Sequence, residues 1–121
     1  MRHETLFTKI INREIPADIV YEDEHSLAFK DINPQAPFHV LIIPKKPIPT
    51  INDIALEDRQ SVGHLYYVAK QLAAKNGFAE DGYRVVMNCN EAAGQTVFHI
   101  HLHMLAGKML GWPPYSDPPK T

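Results

Sequence analysis

The chain of 121 residues has little of what marks secreted, membrane or nucleic-acid-binding proteins. Its single cysteine, Cys89, cannot form an internal disulfide, which excludes a disulfide scaffold and predicts a reducing, cytoplasmic location. No apolar run approaches the ~20 residues of a membrane span, and the first residues lack the apolar segment of a signal peptide. A formal net charge of −2 excludes a strongly basic surface, so neither nucleic acid nor membrane is an expected partner.

What remains has the composition of an ordinary globular protein. Hydrophobic residues make up 45% and charged residues 21% of a chain that is long enough for one domain with one core. We expect that domain to occupy residues 1–110. A proline-rich tail, residues 111–121, is expected to be extended or disordered.

The spacing of apolar residues and the positions of Pro and Gly predict two helices and five strands. A short antiparallel-sheet domain of the α+β class follows from their order and short connections. The predicted helices cover Thr5–Asn12 and Leu56–Lys75. The predicted strands cover Ala17–Glu22, Ser26–Asp31, Phe38–Ile43, Tyr83–Cys89 and Thr96–Leu105.

Three histidines, His99, His101 and His103, stand at alternate positions of the last predicted strand. Successive side chains of a strand point to opposite faces, so all three imidazoles share one face and Ile100, Leu102 and Met104 face a core. We therefore expect the function to lie in this row of imidazoles.

Three interpretations of the row compete. Solvent-facing polar residues would explain one histidine better than three in register. A metal site is possible, but three same-face residues of a strand span ~13 Å, so a second strand would have to add ligands. In the third interpretation a neutral imidazole acts as a nucleophile at phosphorus, beside neighbours that hold or donate protons.

The run His99-Ile100-His101-Leu102-His103-Met104-Leu105 resembles the signature of the histidine triad superfamily. Residues 4 to 112 are similar to its nucleotide-binding branch, through the blocks 6–11, 13–16, 29–37, 39–46, 82–84 and 94–95. The resemblance implies a five-stranded antiparallel sheet with one long and one short helix, and a homodimer in which two sheets become continuous. It also implies hydrolysis of purine nucleoside phosphoramidates, or of aminoacyl-adenylates, with no cofactor and no metal.

The resemblance further implies roles for particular residues. His101 would attack the α-phosphorus and become nucleotidylated, and His99 would orient it through its backbone carbonyl. His103 and His39 would contact phosphate oxygens and relay protons, and Asp31 would bind the ribose hydroxyls. The phosphate would be held by Asn88, Gly94, Gln95, Thr96 and Val97. The base of an AMP- or GMP-type nucleotide would lie among Leu6, Phe7, Ile10, Phe29, Ile32 and Leu41.

Two positions depart from the family pattern. Ala93 stands where the family usually has glycine, so a need for positive φ there would strain the loop. Thr96 replaces a common serine and keeps the hydroxyl with a restricted χ1. Two other functions stay open at this point: cleavage of dinucleoside polyphosphates, and a nucleotide-binding dimer without turnover.

Overall fold

The computed structural model describes residues 4–115 and contains two α-helices and one five-stranded sheet. The strands run in the spatial order β1-β2-β3-β5-β4, with every neighbouring pair antiparallel. The fold class and the strand number predicted from the sequence are confirmed. The helices are α1 (Leu6–Ile11) and α2 (Arg59–Asn76), and the strands are β1 (Ile19–Glu22), β2 (Ser26–Lys30), β3 (Phe38–Pro44), β4 (Arg84–Val86) and β5 (Leu102–Ala106).

The two helices cover opposite faces of the sheet. Helix α2 packs its apolar stripe, including Leu65, Val68 and Leu72, against Val40 and Met104. It ends at Gly77, whose φ of 82° is the left-handed conformation in which glycine closes helices. Residues 56–58, predicted as the start of this helix, form a separate 3₁₀ turn.

Helix α1 covers the other face near the centre of the sheet. The Thr5 side chain caps its first turn by accepting from the backbone N–H of Phe7. Phe7 and Ile10 pack on Phe29 and Leu41 of β2 and β3, and these four side chains are buried. The helix stops before Arg13, whose φ of 62° is incompatible with its continuation.

The predicted histidine strand is wrong in its first half. Strand β5 begins at Leu102, so His99 and His101 precede it and only His103 lies in the ladder. The predicted alternation nevertheless holds, because Ile100, Leu102 and Met104 are all at most 1% exposed. The predicted strand Tyr83–Cys89 likewise shrinks to Arg84–Val86.

The proposed tail falls partly beyond the described part of the chain, which ends at residue 115, so its conformation over 116–121 stays a prediction. Between residues 4 and 115 no helix is long and apolar enough to cross a membrane.

Candidate active site

A cleft of about 540 Å³ opens on the face of the sheet that carries α1. Its lining combines apolar side chains with imidazole, carboxylate and amide groups. All six apolar residues expected to form a base slot line it, and sequence reasoning missed four others. The six are Leu6, Phe7, Ile10, Phe29, Ile32 and Leu41, and the four are Ile15, Pro16, Ala17 and Lys30.

The positions of those four residues in the sequence could have identified them as lining residues. Ile15, Pro16 and Ala17 follow α1 directly, and Lys30 precedes Asp31 in the chain, so their neighbours were already candidates. The apolar walls differ widely in exposure: Phe7 is 3% exposed and Ile32 is 97% exposed. Ile32 is therefore the wall on the solvent side of the slot, and Phe7 is its floor.

His101 lines the cleft and contacts Phe7. Its ring is perpendicular to that of Phe7 at 5.0 Å between centroids. Its Nδ1 is 2.8 Å from the backbone carbonyl of His99, so Nδ1 carries the hydrogen and Nε2 keeps a free lone pair. Burial lowers the pKa of His101 below its usual value, which keeps the ring neutral at pH 7.

His99 is fully buried and contributes to the site in a different way. Its Nε2 donates to the carbonyl oxygen of Pro44 at 2.7 Å. Its Nδ1 is the one buried side-chain nitrogen or oxygen without a hydrogen-bond partner among residues 4–115. Burial lowers the pKa of His99 as well, so the ring is neutral and its contact with His101 passes through the backbone carbonyl.

His103 and His39 meet across the β3–β5 pair, where Leu41 is opposite His103 and His39 is opposite Leu105. His39 Nε2 is 2.9 Å from His103 Nδ1. On the far side of His39, the backbone N–H of Gln35 donates to Nδ1 at 2.9 Å. Because Nδ1 accepts, neutral His39 carries its hydrogen on Nε2 and donates it to His103 Nδ1.

His103 lines the cleft, and His39 stands behind it in an adjoining depression of about 310 Å³. Desolvation lowers the pKa of both rings, and the pKa of His103 falls to about 4. Asp31 lies 3.4 Å from His39 Nε2 and 4.0 Å from His103 Nδ1 through Oδ2. Its Oδ1 accepts the backbone N–H of Asn33, which fixes the carboxylate at the cleft mouth.

The loop before the histidines resolves the question raised by Ala93. Ala93 ends a 3₁₀ turn, Glu91–Ala93, and the positive φ of 91° belongs to Gly94. The glycine missing from the family pattern is thus at a position where alanine is tolerated. Gly94, Thr96, Val97 and Asn88 line the cleft.

Gln95 differs from its loop neighbours. It is 5% exposed, and its side chain organises the loop: Oε1 accepts from Asn90 N–H, and Nε2 donates to the carbonyls of Pro49 and Val97. These bonds occupy the amide, so the structure places Gln95 beneath the loop that holds the cleft residues.

Asp31, His39 and His103 present donor atoms within 4.8 Å of one another, as a metal site would. The second strand that a metal site requires is therefore present. The hydrogen bonds argue against this use, however. A histidine that binds a metal through Nε2 donates its Nδ1–H to an acceptor, whereas Nδ1 of His39 faces the N–H donor of Gln35.

A five-stranded antiparallel sheet whose cleft is lined by two of three alternate histidines, His101 and His103, is the arrangement of a histidine triad protein. Residues 12–110 match the model of the HIT domain, and the chain belongs to that family. It is 55% identical to the purine nucleoside phosphoramidase of Escherichia coli strain K12, over 92% of this chain and 93% of that protein. It is 52% identical to the 14 kDa zinc-binding protein of Zea mays, over 91% of this chain and 87% of that protein.

Solved structures agree with this membership. A HIT family hydrolase from Legionella pneumophila superposes with a TM-score of 0.89 at 52% identity, covering 92% of this chain and 99% of that one. The five-stranded sheet and its main helix are thus shared with HIT family hydrolases.

Proposed function

We propose that the protein is a purine nucleoside phosphoramidase, which hydrolyses the P–N bond between AMP and an amine. The observation that carries the proposal is the His101 imidazole, which is neutral, keeps a free lone pair on Nε2 and lines a cleft with mostly apolar walls. The Escherichia coli relative of that name, 55% identical, supports this reaction. Aminoacyl-adenylates are a second substrate class for the same site.

In the proposed complex the purine lies between Phe7 and Ile32, and Asp31 accepts the ribose hydroxyls. Asn88, Thr96 and the backbone from Gly94 to Val97 surround the phosphate. A slot with apolar walls and few polar groups is typical of small-molecule sites, where the polar groups fix orientation.

The reaction needs two displacements at phosphorus. His101 Nε2 forms a bond to the α-phosphorus, and the P–N bond breaks with its electron pair on nitrogen. That nitrogen takes a proton from solvent, beside the hydroxyl of exposed Thr96, and leaves as the amine. Water then attacks phosphorus and releases its proton, the P–Nε2 bond breaks, and AMP departs. The His103 imidazole stabilises the phosphate oxygens in both steps.

The direct test follows AMP release from adenosine 5′-phosphoramidate in EDTA, with intact-protein mass spectrometry for an AMP adduct. Wild type should turn over and show the adduct, and His101→Ala should lose both while still binding AMP. His25→Ala, an exposed histidine in the β1–β2 turn, is the matched control and should behave as wild type.

Each alternative has its own result. Undiminished turnover in His101→Ala would refute the nucleophile, and turnover abolished by EDTA would restore the metal interpretation. Cleavage of diadenosine polyphosphates in preference to the phosphoramidate would favour the dinucleotide activity, for which the adjoining depression offers room. AMP binding without any turnover would favour a nucleotide-binding scaffold.

We also propose a homodimer and a cytoplasmic location. Strand β4 is an edge strand, and its unpaired backbone side supports the continuation of the sheet into a second copy. The single cysteine supports the reducing compartment.

A further inference from the structure

The loop between β2 and β3 controls the state of two imidazoles that it does not itself contain. Within this loop, the backbone N–H of Gln35 donates to His39 Nδ1 at 2.9 Å. His39 is 6% exposed, so water does not compete freely for that lone pair. The bond therefore selects the His39 tautomer with the hydrogen on Nε2.

The tautomer of His39 in turn determines the tautomer of His103. His39 Nε2–H points at His103 Nδ1, 2.9 Å away, so that Nδ1 must accept. A neutral His103 whose Nδ1 accepts carries its hydrogen on Nε2, and this ring lines the cleft. One backbone amide thus sets the donor and acceptor pattern of both rings.

The same series of hydrogen bonds disfavours the binding of a further proton to either His39 or His103. An added proton would have to occupy His39 Nδ1, against the Gln35 N–H, or His103 Nδ1, against the His39 Nε2–H. The charged and titratable groups that face the pair are Asp31, which favours protonation, and His101, which disfavours it. The lowered pKa values of both rings agree with a pair that stays neutral.

We propose that the backbone N–H of Gln35 is a positioning group that holds the His39–His103 pair neutral, in the one tautomer that presents His103 Nε2–H to the phosphate. The pair then acts as a fixed hydrogen-bond donor to developing negative charge, and the leaving nitrogen takes its proton from solvent. A neutral pair cannot deliver a net proton without leaving an imidazolate. This role rests on the proposed phosphoramidase function, and it replaces a proton relay through His39 and His103.

The tautomers are measurable without any turnover. In protein labelled with ¹⁵N-histidine, long-range ¹H–¹⁵N correlation spectra distinguish protonated from unprotonated ring nitrogens. We expect His39 and His103 each to have a bare Nδ1 and a protonated Nε2 between pH 6 and 8, both free and with AMP. A protonated Nδ1 on either ring, or an imidazolium formed when AMP binds, would overturn the proposal.

The effect of the Gln35 N–H on catalysis is tested by replacing the amide of residue 35 with an ester through semisynthesis. This change removes the N–H and keeps the side chain. One lost hydrogen bond should shift the His39 tautomer ratio by about threefold to tenfold. We expect kcat to fall in proportion to the lost population of the tautomer with the hydrogen on Nε2, with KM nearly unchanged. The same ester at Ala36, a matched change in the same loop, should leave the ring spectra as in wild type.

The ester protein also gives a readout that a purely structural role would not move. Freed from the amide, His39 Nδ1 can carry the hydrogen and Nε2 can bind a metal with His103 and Asp31. Zn²⁺ should therefore inhibit the ester protein several-fold more tightly than wild type. An ester protein with a shifted tautomer ratio but wild-type kcat and Zn²⁺ sensitivity would refute the positioning role, whereas absence of phosphoramidase activity in wild type would refute only the proposed function.

Discussion

Three buried imidazoles, His39, His99 and His101, and the partly buried His103 all have lowered pKa values, so the protein should lose stability as pH falls below 7. The pKa of a histidine in the unfolded chain is about 6.5. Below that pH the unfolded chain therefore binds protons that these histidines do not bind in the folded protein. Above pH 7.5 both states are neutral and no penalty remains. The loss therefore begins near pH 6.5 and, for His103, ends near its folded pKa of about 4.

The magnitude for His103 can be worked out. Its side chain is 23% exposed, and its pKa moves from 6.5 to about 4 on folding. Between pH 7.5 and pH 5 this one group should remove about 2 kcal/mol from the free energy of unfolding. The lowered pKa values of the other three imidazoles act in the same direction.

The assay is urea unfolding at fixed protein concentration, for wild type and His103→Asn at both pH values. Asparagine keeps an acceptor near the position of Nδ1 for His39 and does not titrate. The variant should lose about 2 kcal/mol less than wild type on acidification, since titrating groups elsewhere cancel in the comparison. Equal losses in the two proteins would show that His103 is not held neutral by the fold.

Three further substitutions test separate parts of the cleft. Asp31→Asn removes the charged acceptor that we propose for the ribose hydroxyls. The kcat/KM for the adenosine substrate should fall about tenfold or more, with no such fall for an analogue without ribose hydroxyls, and equal falls for both would refute the ribose role. Gly94→Ala meets no atom within 4 Å of its new Cβ, yet the φ of 91° should cost about 1–3 kcal/mol, visible as a lower Tm, and an unchanged Tm would show that the loop adapts. Phe7→Ala removes the ring between Phe29 and His101, so KM should rise at least tenfold and unfolding should cost about 3–5 kcal/mol less; an unchanged KM would place the base elsewhere.

Alternation and periodicity predicted much of this site because they depend on local geometry. The burial of Ile100, Leu102 and Met104 followed from their spacing. The position of His39 beside the histidine row needed the additional condition that the two strands be neighbours, and β3 does pair with β5. Residue spacing does not indicate that the apolar residues and the imidazoles line the same cleft, and this prediction came from the family resemblance.

Other features depend on contacts that sequence patterns do not encode. The N–H of Gln35 acts through the backbone, so no residue type at position 35 indicates its bond to His39. The resemblance implied Gln95 as a phosphate ligand, but three hydrogen bonds within the structure occupy its side-chain amide. Competition between such partners is decided by tertiary geometry.

Strand β5 begins at Leu102 and not at Thr96 because of Pro44 in the neighbouring strand β3. The last pair of the two strands is Ile42 and Leu102, and two more residues of the same register would bring Pro44 opposite Ile100. His39 O accepts from Asp31, and Lys45 N–H donates toward β2, so the even-numbered residues of β3 direct their backbone groups at β5. Pro44 has no N–H to offer there, and its carbonyl accepts from the His99 ring.

Two consequences of this proline shape the site. The Pro44 carbonyl is occupied by the His99 ring, so Ile100 donates its N–H to Ile48 O instead, and the chain bends over residues 97–99. That bend buries the His99 ring and leaves its carbonyl free to accept from His101 Nδ1. A strand that continued to Thr96, as the alternation predicted, would have committed these backbone groups to the sheet. The position of the His101 Nε2 lone pair thus depends on the ladder ending where it does.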